Sequence, residues 1–174
     1  MPPETETDAA PALSGPLAAL ADDLRDHLGD SLLDASDMHG MLAIRVPPDK
    51  RPHALATLKV LGFDYYSFGG GVDWPDEDKL EVLDHVESMT THVQVTVRCD
   101  VPRSNPRVPT AVGVYAGADW HEREAWELFG IVFTGHPRLR RLLLADWQEG
   151  FPMRKDEVLR PRIEKPWPGE FFSG

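Results

Sequence analysis

One cysteine, Cys99, is all that this 174-residue chain contains. A single thiol excludes an intrachain disulfide. It equally excludes a self-contained iron–sulfur cluster held by cysteines, because those take several thiolates. A reducing compartment is the expected setting. Long hydrophobic runs are missing too: there is no stretch of about eighteen apolar residues and no basic segment leading into an apolar one. Neither a membrane span nor a signal peptide is therefore expected, and any link to a membrane has to come through partners. Positive charge is scarce, with 18 Lys and Arg against 29 Asp and Glu and a formal net charge of −11. A phosphate backbone requires a basic surface, so nucleic acid is excluded as the main partner.

Catalytic and metal-binding patterns are equally thin. The histidines at 27, 39, 53, 85, 92, 121 and 136 show no close ligand spacing. His121-Glu122 would need a second histidine at 125 to make a zinc-binding H-E-x-x-H helix, and that position is Ala125. Gly69-Gly70-Gly71 has neither the G-x-G-x-x-G nor the P-loop spacing of a phosphate cradle. Ser–His and Cys–His nucleophile arrangements have no local signature. We expect no catalytic site, flavin, haem, cluster or metal in this chain.

What is present is a pattern of short elements. Residues 1 to 12 are acidic and proline-bearing and read as a disordered lead. Ser14 can open a helix in which Leu13, Leu17, Leu20, Leu24 and Leu28 form one stripe, closed by Gly29. Residues 41 to 46 make an apolar run stopped by Pro47 and Pro48. A helical face of Ala54, Leu55, Leu58 and Leu61 then ends at Gly62. Residues 63 to 68 are aromatic enough for a strand, followed by the glycines and an acidic turn at 73 to 79. Residues 80 to 89 and 92 to 99 read as strands joined through Thr90 and Thr91, with Val93, Val95, Val97 and Cys99 on one face. Cys99 then packs as a small hydrophobe. The fold class is α+β: one small mixed sheet with helices mainly on one face. The α+β domain is assigned to residues 13 to 135. Residues 136 to 174 are expected to form a basic, proline-rich extended arm.

Residues 118 to 156 are the densest part of the sequence. Asp119 is placed to cap a helix, Glu122 stands where a capping-box partner would, and Gly130 offers a left-handed stop, giving a motif helix over 119 to 129. At 100° per residue, His121, Glu122, Ala125, Trp126, Leu128 and Phe129 share one arc, with Arg123, Glu124 and Glu127 opposite. A carboxylate among such neighbours needs a hydrogen-bonding or cationic partner, so Glu122 is expected to find one among Arg138, Arg140 and Arg141 or on another chain. After Pro137 a second helix is expected, with Leu139, Leu142 and Leu143 at helical spacing. Read from physics alone, this could equally be an ordinary helix–turn–helix corner with solvated arginines. Between 136 and 165, eight basic residues face five acidic ones, so a basic arm leaves an acidic body. The C-terminal stretch carries Trp167, Phe171 and Phe172 among prolines, either frayed or laid across another protein, and the aromatics favour the second.

The wording of the motif resembles the C-type subunit of the proton-pumping NADH–quinone oxidoreductases, respiratory complex I. Its signature runs close to E-R-E-x-x-[DE]-[LM]-[FY]-G-[IV]-x-[FY]-x-G-H-P-x-L-x-R-[IL], here over residues 122 to 142. A second block, E-G-x-P-[LM]-R-K-D, is matched by Glu149, Gly150, Pro152, Met153, Arg154, Lys155 and Asp156. The chain departs from the pattern at Phe151, where relatives often carry His or Tyr.

The resemblance implies a structural subunit of the peripheral arm, docked against the D-type subunit near the quinone end and lying on the cytoplasmic face of the membrane. The complex would carry electrons from NADH through flavin and iron–sulfur clusters in partner subunits to a quinone while pumping protons. Glu122, Arg123, Glu124, Trp126, His136, Arg138, Arg140, Arg141, Arg154, Lys155 and Asp156 would be docking and bracing residues. The alternative is the equivalent subunit of a related membrane-bound hydrogenase or other dehydrogenase complex.

Overall fold

The computed structural model describes residues 13–157. The acidic lead and the aromatic tail named above lie outside this range. Helix α1 (Gly15–Leu28) follows Ser14, whose backbone is extended but whose side chain makes no capping bond. It ends at Gly29 with φ +53°, a left-handed value that glycine adopts at no steric cost. The inward stripe appears as buried Ala21, Leu24 and Leu28. Strands β1 (Asp34–Met38) and β2 (Met41–Arg45) form a hairpin. β1 escapes a sequence reading because D-A-S-D-M has no strand-like composition. A short 3₁₀ turn leads into α2 (Arg51–Val60), which buries Arg51, Ala54, Leu55 and Leu58.

Strand β3 (Tyr65–Trp74) continues straight through the three glycines, so the acidic turn shrinks to Pro75–Glu77. β4 (Lys79–Glu87) and β5 (Gln94–Pro102) form the expected hairpin, tied by the Ser88 amide to the Val93 carbonyl. The sheet order is β1-β2-β5-β4-β3, with β2 parallel to β5 and the other pairs antiparallel. Register places Leu80, Val82, Asp84 and Val86 opposite Val101, Cys99, Val97 and Val95 on one face. That face forms one core with Leu24 of α1, Leu55 and Leu58 of α2, and Phe129 of α3 (Ala118–Phe129).

The other face is polar. Glu81, although buried, accepts hydrogen bonds from Arg98 Nε at 2.6 Å and Trp74 Nε1 at 3.0 Å, and it pairs with Arg45 at 3.2 Å. The α+β reading with helices on one face therefore holds. A small parallel pair, β6 (Arg107–Pro109) with β7 (Val132–Thr134), flanks α3.

The glycines explain how α3 sits. A Cβ at Gly71 would lie 3.0 Å from Phe129 and Ile131, and one at Gly69 would lie 2.1 Å from the Tyr66 hydroxyl. Bare backbone at these positions lets the helix approach the strand closely.

Past Gly135 the structure differs from expectation. Among the described residues no helix follows Pro137; residues 136 to 157 run as turns and extended chain along α3. The apolar spacing of Leu139, Leu142 and Leu143 is real. The backbone groups that a helix would use internally are instead taken up by α3, as described next.

Candidate functional site

Helix α3 presents charged side chains on two sides, and both are satisfied from within the chain. It starts at Ala118 after Gly117, so Asp119 is not the cap, and no side-chain capping bond forms. The Asp119 carboxylate takes Arg138 at 3.1 Å and lies 3.2 Å from His136 Nε2. The Arg138 amide donates to His136 Nδ1, which leaves the ring proton on Nε2, facing the Asp119 carbonyl and carboxylate. His136 thereby ties the start of α3 to the following segment.

On the inner side lies Glu122, fully buried. Its partner is Arg51 of α2 at 3.0 Å, not an arginine of the 138 to 141 stretch. Arg51 also grips Asp84 with two bonds of 2.7 Å and donates to the Pro109 carbonyl. Asp84 accepts the Tyr66 hydroxyl at 2.6 Å. Glu122 in turn accepts the Thr110 hydroxyl and the Ala111 amide. One guanidinium thus sits between two buried carboxylates, and each carboxylate has additional donors, the condition under which buried charge is tolerable. Burial opposes the charge on Arg51, but Asp84, Tyr66 and Glu122 outweigh it and hold the guanidinium protonated. Burial and Asp84 together push the Tyr66 hydroxyl well above its usual range.

Arg123 and Glu127 occupy the opposite side of the helix, which sequence geometry assigns to solvent. Both are buried, because the 140 to 144 segment covers them. Arg123 donates to the carbonyls of Arg140 and Arg141 at 3.1 and 2.8 Å. Glu127 accepts the amides of Leu142, Leu143 and Leu144 at 3.1, 2.7 and 2.8 Å. Burial would raise the Glu127 pKa, but the three amides and Arg141 outweigh it and hold the carboxyl below its usual range.

The second block closes around the end of α3. Arg154 Nε donates to the Phe129 carbonyl at 2.7 Å and its guanidinium stacks over Phe151, 4.7 Å from the ring centroid. The Phe151 ring lies where a side chain at Gly130 would stand, and Gly130 has φ +77°. Phe151 therefore fills its place by shape. The Lys155 amide binds Asp73, and Asp156 binds Arg103, which itself clamps Asp73 with bonds of 2.9 and 3.1 Å.

Of the sequence-derived residues, Glu122, Arg123, His136, Arg138, Arg154, Lys155 and Asp156 make the contacts just given. Arg140 and Arg141 contribute carbonyls to Arg123, and Arg141 also donates to the Ala145 and Gln148 carbonyls. Trp126 and Glu124 are half-buried, Trp126 against the core. Exposed apolar side chains stand around this construction: Trp120, Leu143, Trp147 and Met153.

Arg51, Asp84, Tyr66 and Thr110 were not singled out by sequence. Signals existed for two. Arg51 precedes Ala54, Leu55 and Leu58 at i+3, i+4 and i+7, which puts it on the inward stripe of α2. Asp84 alternates with Val82 and Val86 on the buried face of β4. Among the described residues no group of three or more His, Cys, Asp or Glu is placed to hold a metal ion, and no helix is long and apolar enough to cross a membrane.

With this geometry in view, the family model for the respiratory-chain NADH dehydrogenase 30 Kd subunit matches residues 44–162. The chain belongs to that family. A relative from Rhizobium etli (strain CIAT 652), named as a C-type subunit, number 2, of NADH-quinone oxidoreductase, is 37% identical over 146 residues, covering 82% of this chain and 78% of that protein. The protein of the same name from Rhizobium meliloti (strain 1021) is 40% identical over 141 residues, covering 79% and 77%. In fold, the chain is similar to the trypsin-resistant fragment (1-134) of Nqo5, with TM-score 0.61 and 28% identity over 71% of this chain and 98% of that one. It is also similar to a chain of an archaeal membrane-bound sulfane sulfur reductase, with TM-score 0.73, covering 82% of this chain and 85% of that one. The sequence identity there is 24%, so that likeness speaks for the fold alone.

Proposed function

We propose that this chain is a non-catalytic, bracing component of the peripheral arm of an NADH–quinone oxidoreductase, docked against a D-type subunit near the quinone end. The flavin, iron–sulfur clusters, NADH and quinone then belong to partner subunits, and the protein lies on the cytoplasmic face of the membrane, held there by those partners. The observation that carries this reading is the segment from 138 to 156. Its backbone is fixed by Arg123, Glu127, Arg154 and Asp73, while Leu143, Trp147 and Met153 remain exposed beside Arg138 and Arg140. A rigid backbone presenting apolar and arginine side chains loses little entropy on docking, which is the physics of a permanent contact between subunits.

The test is affinity purification of the tagged chain from native membranes, followed by identification of co-eluting proteins. An NADH-binding flavoprotein and a D-type subunit support the reading; a nickel–iron protein in place of the flavoprotein points to the related hydrogenase. Leu143→Asp should lower the yield of assembled complex about tenfold or more, since a charge in a docking core costs over about 1.4 kcal/mol. Turnover per assembled complex should stay unchanged. Loss of turnover in fully assembled complex would overturn the bracing role.

A further inference from the structure

The two edges of the sheet are treated differently. At one edge β1 is five residues long and carries Asp34 and Asp37, charges that discourage pairing with another chain. At the other edge β3 runs ten residues, Y-Y-S-F-G-G-G-V-D-W, with neither proline nor lysine. Its only aspartate, Asp73, is turned inward to Arg103 and the Lys155 amide. Edge strands that lack such blunting are templates for an added strand.

Two features shape this edge. Gly69 and Gly71 face α3, and Gly70, on the polar face, is overlaid by the Phe68 ring, which would lie 2.7 Å from a Cβ there. Over the middle of the strand stands the Phe68 ring, which also packs against His85 and against His121 of α3. The bulge between Tyr66 and Phe68 leaves Tyr65, Ser67 and Phe68 exposed beside it. Among the described residues, β3 shares backbone hydrogen bonds with no strand but β4.

Charge narrows the choice of partner. Near the Tyr65 end, Asp64 spends its carboxylate on the Met89 amide, and Glu87 meets His92 and Gln94. Beyond Trp74 come Asp76 and Glu77, of which Glu77 pairs with Lys79. The Tyr65 end of the edge is thus acidic, whereas the Trp74 end also carries Arg103 and Lys155 around Asp73.

We propose that the free edge of β3 accepts an extended segment of another subunit as a sixth strand of the sheet. That segment has small or apolar residues opposite the glycines and a lysine or arginine opposite the Tyr65 end, near Asp64 and Glu87. A second copy of this chain does not suit the site, because its β3 carries no lysine or arginine to set opposite Asp64 and Glu87. This contact adjoins the 138 to 156 surface at Asp73 and would add a second, backbone-directed attachment to the complex.

The test uses the assembled complex and the free full-length chain. Hydrogen exchange should show the outward-facing amides of residues 67 to 72 slowed about a hundredfold or more in the complex relative to the free chain. Replacing Phe68 by the photoreactive p-benzoylphenylalanine should yield, on irradiation of the complex, a crosslink to one peptide of a partner protein that contains basic residues. Equal exchange in both states would overturn the proposal. So would crosslinking to a second copy of this chain, or to an acidic or helical segment. Because assembly is monitored separately, a complex that forms normally with an unprotected β3 edge would refute this contact while leaving the docking role intact.

Discussion

Arg51 and Glu122 stand 71 residues apart in sequence and 3.0 Å apart in space, and with Asp84 they form the charged centre of the buried core. Two carboxylates depend on one guanidinium. Removing Arg51 leaves both without a counter-charge, whereas removing Glu122 leaves Arg51 its two bonds to Asp84. Glu122→Ala should therefore cost about 3–5 kcal/mol, and Arg51→Ala should cost at least as much. Urea unfolding of the two variants, with the midpoint and slope measured for each, checks the order. A smaller loss for Arg51→Ala than for Glu122→Ala would contradict it.

Glu127 yields a prediction opposite to the one its helical position invites. A carboxylate on a solvated face is worth under about 0.5 kcal/mol. One that satisfies three amides leaves them orphaned when removed, so Glu127→Ala should cost about 1–3 kcal/mol. Glu124→Ala, one turn earlier, should stay within about 0.5 kcal/mol. Exchange at the amides of Leu142, Leu143 and Leu144 should accelerate only in the Glu127 variant.

The same carboxylate sets a pH dependence. Its pKa in the folded chain lies below the ordinary glutamate value, which is about 4.3 when unfolded. The stabilisation is thus fully present above about pH 5 and is lost as pH falls through the lowered folded value. Protection of residues 142 to 144 should be constant from neutrality down to that point and then decline; Glu127→Gln should remove the decline.

Gly69 tests the close approach of β3 to α3. Gly69→Ala would drive its methyl into the Tyr66 hydroxyl and displace it from Asp84, at about 1–3 kcal/mol. In a Tyr66→Phe background the hydroxyl is gone, so the added cost of Gly69→Ala should shrink. Thermal unfolding of the four members of this cycle gives the coupling directly.

Cys99 should be silent in the native chain. It is buried, and burial together with nearby Asp84 pushes its thiol far above the usual range. A thiol-reactive chromogen should react with one equivalent only upon unfolding, at a rate that tracks the opening of the sheet.

Much of this was legible because it rests on local rules. The alternation of Val95, Val97 and Cys99, the two-threonine hairpin and the Gly29 stop are set by residues near one another. The pairing of Glu122 was not. Nearby arginines at 138 to 141 offered themselves by proximity in sequence, but Arg138 binds Asp119, Arg141 binds the Ala145 and Gln148 carbonyls, and Arg51 holds Glu122. Arg123 and Glu127 were misplaced for a related reason: helical geometry assigns a face, and only the tertiary path of residues 140 to 144 decides whether that face is wet. The helix expected after Pro137 failed because those same amides and carbonyls had partners on α3 that local periodicity does not reveal.

Arg123 and Glu127 hydrogen-bond to residues 140 to 144 through carbonyls and amides, groups that every residue but proline supplies in the same form. Arg141 aside, which binds the Ala145 and Gln148 carbonyls, the course of this segment is therefore insensitive to its exposed side chain at 143. Position 143 can change from leucine to another residue without moving the backbone that carries it, so the surface offered to a neighbour can be retuned while its shape is inherited. Such a segment behaves as a fixed rail with exchangeable fittings, and a matched pair of subunits could drift in composition together without either having to refold.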